Sequence, residues 1–507
     1  MLSEKIALRL FASRLKSIAR FEQYPEVVQS EQLKSLVETA KDTEWGRKYK
    51  YGEIRNYDDF VSRVPISDYE HIHPYIRRMM EGEDNILWPE KVQWFAQSSG
   101  TTNGKSKFIP VTPSSLQKCH YRGGKDVVST YLNNVPESRL FSGKALVLGG
   151  SHKPVAHNEF VKKGDLSAIL IQNINPLANL YRTPSKKIIL MDEWEAKLEA
   201  ICKHTINKNV TSLSGVPSWF LVLIKKILEY TGKHHLTDIW PNLEVFFHGG
   251  VSFKPYEEQY KNLIPSSKMR YLETYNASEG FFSLQNDFND PSMLLLLDYG
   301  IFYEFIPIEE LQSENPKTYP LESVETGRNY AVVMSSNNGL WRYKIGDTVM
   351  FTNKNPFKIV VTGRTRNFIN AFGEELMVDN AERAILKACE KTRSIVREYT
   401  VAPVYMSQEM KGRHQWLIEF TTLPTSLEDF ALQLDNALKE LNSDYEAKRY
   451  KNITLEMPEI TVSKPNLFYE WLESKGKLGG QHKIPRLSNN REIMDSLQHF
   501  ASGKNFF

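Results

Sequence analysis

From Met191 to Thr274 the chain alternates between helical and extended periodicity, and no other feature constrains the fold as tightly. A helical stretch (Asp192 to Ile206) precedes a short apolar strand (Val210 to Leu213). Pro217 then stands in the first turn of an amphipathic helix reaching about Tyr230, where its missing N–H leaves no gap in the hydrogen bonding. A strand (Leu243 to Phe247), a helix (Pro255 to Leu263) and another strand (Met269 to Thr274) follow. Strand and helix in turn imply an α/β fold with a parallel or mixed sheet, whose ligands sit beyond the carboxyl ends of the strands. His248-Gly249-Gly250 and Tyr275-Asn276-Ala277-Ser278-Glu279-Gly280 both fall at such ends.

Upstream, residues 1 to about 90 read as helices with polar connections. The opening MLSEKIALRLFASRLKSIARF has the arginines of a transit peptide, but Glu4 and the lack of a small-residue cleavage pattern favour a packed helix. Ser114 to Leu132 has helical length with Gly123-Gly124 inside it, which predicts a bend there. Lys144 to Leu148 reads as a buried strand closing on Gly149-Gly150.

Beyond Pro291 strand signals dominate: Leu294 to Leu297, Ile301 to Pro307, Tyr330 to Ser335, Leu340 to Lys344, Thr348 to Phe351 and Lys358 to Thr362. Asn337-Asn338-Gly339 is a hairpin turn signal, and the region predicts an antiparallel or β-barrel-like subdomain. After Gly363 helices near Asp379 to Lys391 and Ser426 to Leu441 alternate with strands near Val396 to Tyr405 and Gln415 to Thr421, the pattern of a separate, smaller α+β unit.

A chain of 507 residues with 41% hydrophobic and 25% charged residues builds a packed core rather than a disordered ensemble. The net charge of +3 singles out no acidic partner, and no basic stripe interleaved with aromatics points to nucleic acid. Cys119, Cys202 and Cys389 are far apart and lack metal-ligand spacing, as expected of a reducing, cytoplasmic setting. The longest apolar run, Met293 to Leu297, is far too short to span a membrane.

The stretch Gln93 to Thr112, QWFAQSSGTTNGKSKFIPVT, places a loop of small hydroxyl residues and glycines between two apolar segments, with Lys105 and Lys107 at its exit. Glycines let backbone N–H groups turn inward around an anion, and a lysine adds a mobile positive charge. The stretch reads as a phosphate cradle, although Ser/Thr/Gly clusters also form ordinary loops. It is not a Walker loop: only three residues separate Gly100 from Gly104, and Ser99 stands where the first glycine belongs.

Ser98-Ser99-Gly100-Thr101-Thr102-Asn103-Gly104 followed by Lys107 resembles the triphosphate loop of the adenylate-forming superfamily. Its double serine and Pro110 are most similar to the auxin-responsive acyl acid amido synthetases of plants and their bacterial homologues. Four further blocks resemble the superfamily in its order. Tyr275 to Gly280 resembles the motif whose aromatic stacks on adenine and whose glutamate holds magnesium, which implies Tyr275, Ser278 and Glu279 at the nucleotide, with Gly249 and Gly250 lining the adenine. Trp341-Arg342-Tyr343-Lys344-Ile345-Gly346-Asp347 resembles the block whose aspartate accepts both ribose hydroxyls, and puts Asp347 in that role. Gly363-Arg364-Thr365-Arg366 with Phe372-Gly373-Glu374-Glu375 is similar to the interdomain hinge, with Arg364 reaching ribose or phosphate and Arg366 at the pivot. Gly479-Gly480-Gln481-His482-Lys483-Ile484-Pro485-Arg486 resembles the C-terminal block whose lysine bridges the carboxylate substrate and the α-phosphate, which implies Lys483.

Taken alone, Glu279 is an ordinary helix-start charge, Asp347 a turn aspartate, Arg364 part of a basic turn and Lys483 part of a solvated loop. The resemblance implies an N-terminal ATP- and acyl-binding domain over 1–364 and a mobile C-terminal domain over 365–507. It also implies ATP and Mg2+ as cofactors, Lys483, Glu279 and Lys107 as catalytic groups, and Glu279 as metal ligand. The expected reaction activates a small carboxylic acid as its acyl-AMP and passes the acyl group to an amino acid amine, with an acyl-CoA ligase as the alternative. Plant relatives hold the acid with a tyrosine and an arginine on the helix after the cradle. Tyr121 and Arg122 miss that spacing, which Gly123 and Asp126 occupy, so acyl specificity does not carry over.

Overall fold

The computed structural model describes residues 4–98, 107–150, 152–155, 158–191, 193–250, 253, 256–311, 313, 315–365, 368–369, 371, 374, 376–404, 412–442, 445–446, 449, 455–476, 484–488 and 490–503. Five helices open the chain, Glu4–Gln23, Pro25–Ala40, Glu44–Lys48, Tyr57–Arg63 and Tyr69–Glu81. Thr43, Asn56 and Asp68 cap the last three through their side-chain oxygens.

The strands that follow are β1 (Trp94–Ser98), β2 (Lys107–Val111), β3 (Lys144–Val147), β4 (His152–Val155), β5 (Asn158–Gly164), β6 (Arg182–Thr183), β7 (Val210–Gly215), β8 (Val245–Gly249), β9 (Arg270–Asn276), β10 (Phe281–Leu284), β11 (Met293–Leu295), β12 (Ile301–Pro307), β13 (Tyr319–Pro320), β14 (Asn329–Ser336), β15 (Tyr343–Lys354) and β16 (Phe357–Arg364). β1 and β2 pair antiparallel inside a small sheet of order β2-β1-β5-β4, so the two apolar arms of the expected cradle form one hairpin. Twelve strands form a second sheet, ordered β13-β12-β14-β15-β16-β11-β10-β9-β8-β7-β3-β6.

From β6 to β9 the large sheet is parallel, as the alternation predicts, and from β9 onward its pairings are antiparallel. The strands after Pro291 therefore do not close on themselves: the expected barrel-like subdomain is the antiparallel half of one open mixed sheet. β11 pairs with β10 on one side and with β16 on the other, which joins the halves edge to edge instead of curling the second half into its own barrel.

Two local expectations are corrected. Leu340 to Lys344 and Thr348 to Phe351 are not separate strands; β15 runs unbroken from Tyr343, bulging near Gly346, whose φ of 92° a glycine accepts without a Cβ clash. The helix after the cradle breaks before its glycines, in one wide π-type turn over Leu116–His120, and Tyr121–Asn134 then passes straight through Gly123-Gly124. Packing explains Gly123: a Cβ there would lie 2.4 Å from Cγ of Phe281, so the glycine lets the helix seat on β10.

Buried ion pairs tie the N-terminal helices to the sheet. Arg14 forks onto Asp126 (2.8 Å) and Asp298 (2.8 Å). Arg342, left-handed at φ 42°, pairs with Glu304 (2.9 Å) and donates to the carbonyl of Val64 (2.7 Å). After Arg364 the chain builds separate cores around the helices Val378–Thr392 and Leu427–Leu441 and a three-stranded sheet. That sheet consists of β19 (Ile395–Val404), β20 (Arg413–Thr422) and β21 (Glu459–Val462), the short pair β17 (Phe368–Ile369) and β18 (Leu376–Met377) preceding it. Among the described residues no helix is long and apolar enough to cross a membrane.

Candidate active site

β8 and β9 end side by side and deliver the two glycine-containing segments to one place. Gly249 must lack a side chain because a Cβ would meet the carbonyl of Thr274 at 2.3 Å, and Gly250 turns the chain away at φ 81°. His248, just before them, is buried and stacked on Phe253 at 4.3 Å. Burial pushes its pKa down to about 3, so the ring is neutral.

Beyond β9 the Tyr275 hydroxyl donates to Asp347 Oδ2 at 2.7 Å, and its ring packs on Phe282 at 4.8 Å. Arg364 Nε, at the end of β16, donates to Asp347 Oδ1 at 2.8 Å. Asp347 thus joins the block after β9 to the end of β16, and its negative charge holds the Arg364 guanidinium above its ordinary range. A carboxylate offers about four acceptor sites, so these two donors leave Asp347 capacity for a diol.

Glu279 is buried, and no cation forms an ion pair with its carboxylate among the described residues. Burial, with Asp347 nearby, raises its pKa, while the charges of Lys107 and Arg364 act in the opposite direction through space. Ser278 Oγ beside it is buried without a hydrogen-bond partner among the described residues. An orphaned hydroxyl and a desolvated carboxylate, both hard oxygen donors, fit a divalent cation carrying phosphate oxygens. Asn338, at the tip of the β14–β15 turn, donates from Nδ2 to the Glu279 carbonyl at 3.0 Å, and Thr112 Oγ1 donates to the adjacent Asn337 carbonyl at 2.7 Å. The turn therefore links the strand leaving the cradle to Glu279, a positioning role that the sequence signals only as a hairpin.

Of the sequence-predicted residues, Gly249, Gly250, Tyr275, Ser278, Glu279, Asp347 and Arg364 line one cleft of about 2330 Å³. Lys107 starts β2 with its ammonium 5.6 Å from the centre of the Tyr69 ring; it does not line the cleft, but its charge reaches Glu279. Ser98 is the last residue of β1. Ser99, Gly100, Thr101, Thr102, Gly104, Arg366 and Lys483 lie outside the described residues. Ile484, Pro485 and Arg486, directly after Lys483, line the cleft, and Pro485 is held by Thr400 Oγ1 (2.7 Å).

The helix after the cradle does not present Arg122 or Asp126 to the cleft. Arg122 pairs with Asp298, while Asp126 is fully buried between Arg14 and the Tyr299 hydroxyl (2.6 Å). Tyr121 does line the cleft, with its hydroxyl on the Leu170 carbonyl at 2.8 Å.

Three family models match in succession: the GH3 family N-terminal domain over residues 14–269, the central domain over 294–364 and the C-terminal domain over 379–492. The chain belongs to the GH3 family. Among its GH3 relatives, indole-3-acetic acid-amido synthetase GH3.3 of Arabidopsis thaliana is 23% identical, with 95% of this chain and 93% of that protein covered. The solved GH3.15 acyl acid amido synthetase superposes with a TM-score of 0.80 at 18% identity, covering 96% of this chain and 95% of that one. A 2-hydroxyisobutyryl-CoA ligase in the post-adenylation state shares the fold at a TM-score of 0.62 and 10% identity, with 94% and 92% covered. The GH3 structure is thus the nearer of the two in shape, and the adenylate-forming fold expected from the five sequence blocks is the one found.

Proposed function

We propose that this GH3 family member is an ATP-dependent acyl acid amido synthetase. It activates a small carboxylic acid as its acyl-adenylate and transfers the acyl group to the amine of an amino acid. The observation that carries this reading is the convergence of Tyr275, Glu279, Asp347 and Arg364 on one cleft, in a chain matched by GH3 models from residue 14 to 492. We place the domain boundary at 364/365, where β16 ends and the separate C-terminal cores begin, and assign the second domain the mobile role.

In this account Asp347 takes the ribose hydroxyls, with Tyr275 and Arg364 fixing its orientation, and Gly249, Gly250 and Tyr275 line the adenine. The cradle residues Ser98, Ser99, Gly100, Thr101, Thr102 and Gly104 wrap the β- and γ-phosphates. Glu279, with Ser278, would hold Mg2+, which when bound neutralises phosphate charge. The substrate carboxylate attacks the α-phosphorus, pyrophosphate leaves, and Lys107 and Lys483 offset the developing negative charge. The amine then attacks the acyl carbonyl and AMP leaves. We assign the protein to a reducing, cytoplasmic setting, a reading supported by three free cysteines, two of them buried, and we propose neither a nucleic acid nor a membrane partner.

ATP–pyrophosphate exchange screened across carboxylic acids tests the first half-reaction without knowledge of the acceptor. Acid-dependent exchange is expected; its absence with every acid and with added Mg2+ contradicts adenylation.

A further inference from the structure

The end of the cleft remote from Glu279 is walled by Tyr121, Phe141, Leu170 and the edge strand β6. Three strand spacings separate β6 from β8, which sets Arg182 about 14 Å from the strand carrying Gly249, and farther still from Tyr275. Arg182 lines this end. Its Nη2 donates to Asn179 Oδ1, but its Nη1 is buried with no hydrogen-bond partner among the described residues.

Other arginines that enter the interior are matched by carboxylates: Arg14 by Asp126 and Asp298, Arg342 by Glu304, Arg449 by Asp435. Arg182 forms no ion pair among the described residues. Burial pulls it below its ordinary range, with only Tyr121 acting the other way. The nearest further basic group deepens the imbalance, since Lys186 is itself drawn down by burial and by Arg182, and its Nζ is bound to the Gln172 carbonyl (2.9 Å) rather than to an acid. A guanidinium does not shed its proton, so the missing partner is an acceptor from outside the chain. His120, also lining the cleft, is buried with neither ring nitrogen hydrogen-bonded among the described residues, and supplies a second polar group without a charge.

Position decides which acceptor this is. The reacting carboxylate must lie beside the nucleotide, too far from β6 for Arg182 to hold it. The α-carboxylate of an acceptor amino acid stays within a few ångström of its amine and so of the reacting carbonyl, which excludes it on the same ground. What reaches Arg182 is the far end of the acyl acid.

We propose that the acyl acid activated here carries a second carboxylate, remote from the reacting one, and that Arg182 receives it. The apolar wall formed by Val128, Phe141 and Leu170 takes the intervening carbon skeleton. Planar guanidinium and carboxylate match as a two-point pair, which fixes the acid's length and its direction in the cleft. This inference rests on the amido-synthetase reading and narrows its substrate to dicarboxylic acids.

The test compares monocarboxylic acids with α,ω-dicarboxylic acids of graded chain length in ATP–pyrophosphate exchange and in thermal melting, using wild type, Arg182→Met and Arg182→Lys. In wild type, one length of diacid is expected to exceed its monoacid analogue in kcat/KM by roughly 10- to 100-fold, the scale of a hydrogen-bonded charge pair, and to raise Tm where the monoacid does not. Arg182→Met should lose that ratio through KM and lose the Tm rise, and Arg182→Lys should recover part of both. Monoacids used as well as every diacid, or a diacid preference unchanged in both variants, overturns the inference and leaves the amido-synthetase reading standing. Exchange with no acid of either series overturns that reading and this one with it.

Discussion

Tyr275 and Asp347, 72 residues apart, meet through a 2.7 Å hydrogen bond that joins the end of β9, where the parallel half of the sheet stops, to the β15–β16 hairpin of the antiparallel half. The bond is buried, with a charged acceptor, and such bonds contribute about 1.5–3 kcal/mol. Tyr275→Phe should therefore lower stability in urea denaturation by about 1.5–3 kcal/mol, and should raise the KM for ATP because the Asp347 carboxylate loses the donor that orients it. Asp347→Ala should weaken ATP binding and leave inorganic pyrophosphate binding nearly unchanged, because its proposed bonds reach only the ribose. Calorimetric titration with both ligands checks this; equal losses would make Asp347 a structural aspartate.

Glu279 is raised above the ordinary carboxylate range by burial and by Asp347, so the native state holds its proton more tightly than the unfolded chain does. The resulting destabilisation is absent below the ordinary carboxylate pKa and complete once pH has risen through the raised value. Without magnesium, Glu279→Gln should melt above wild type at neutral pH, with the difference vanishing toward about pH 4. The same variant should lose magnesium-dependent exchange, since a neutral amide oxygen is a weaker ligand for a hard cation. A Tm below wild type at every pH would mean that the carboxylate stabilises the fold.

His120 and His248 are held neutral, burial pushing them down to about 4 and about 3. The unfolded chain takes up these protons first as pH falls, so the fold loses stability below the ordinary imidazole value, and for His120 the loss reaches about 3 kcal/mol by pH 4. Urea denaturation between pH 7 and pH 4 should show this loss, and His120→Gln should flatten it. The same residues should add no imidazole ionisation near pH 6.5 to the pH profile of exchange.

Arg342 stands in the sequence block that carries Asp347, yet it turns away from the cleft and pairs with the fully buried Glu304. Arg342→Met leaves that carboxylate unpaired and should reduce stability by about 3–5 kcal/mol. Adding Glu304→Gln should restore part of the loss. A loss below about 1 kcal/mol, the scale of an exposed pair, would contradict the buried arrangement.

The parallel half of the sheet was legible in the sequence because the short extended segments between Val210 and Thr274 are separated by helices of clear period. The joining of the two halves was not: the short run Leu294 to Leu297 carries no mark that it pairs with both β10 and β16, and local pattern could not separate an open sheet from a barrel. Gly123 read as a helix breaker because propensity is local, whereas the ring of Phe281, 158 residues away, is what requires a glycine there. In the site, the cleft-lining residues in glycine-containing blocks at strand ends were named from the resemblance. Asn338 and Arg182 were not, since a turn asparagine and a lone arginine acquire roles only from the buried groups around them.

Amide formation is tested most directly by supplying a competent acid, ATP and Mg2+ with either a mixture of amino acids or coenzyme A and identifying the product by mass. The expected product is an N-acyl amino acid, formed with AMP and pyrophosphate. A thioester formed many times faster than any amide would contradict it and make the protein an acyl-CoA ligase.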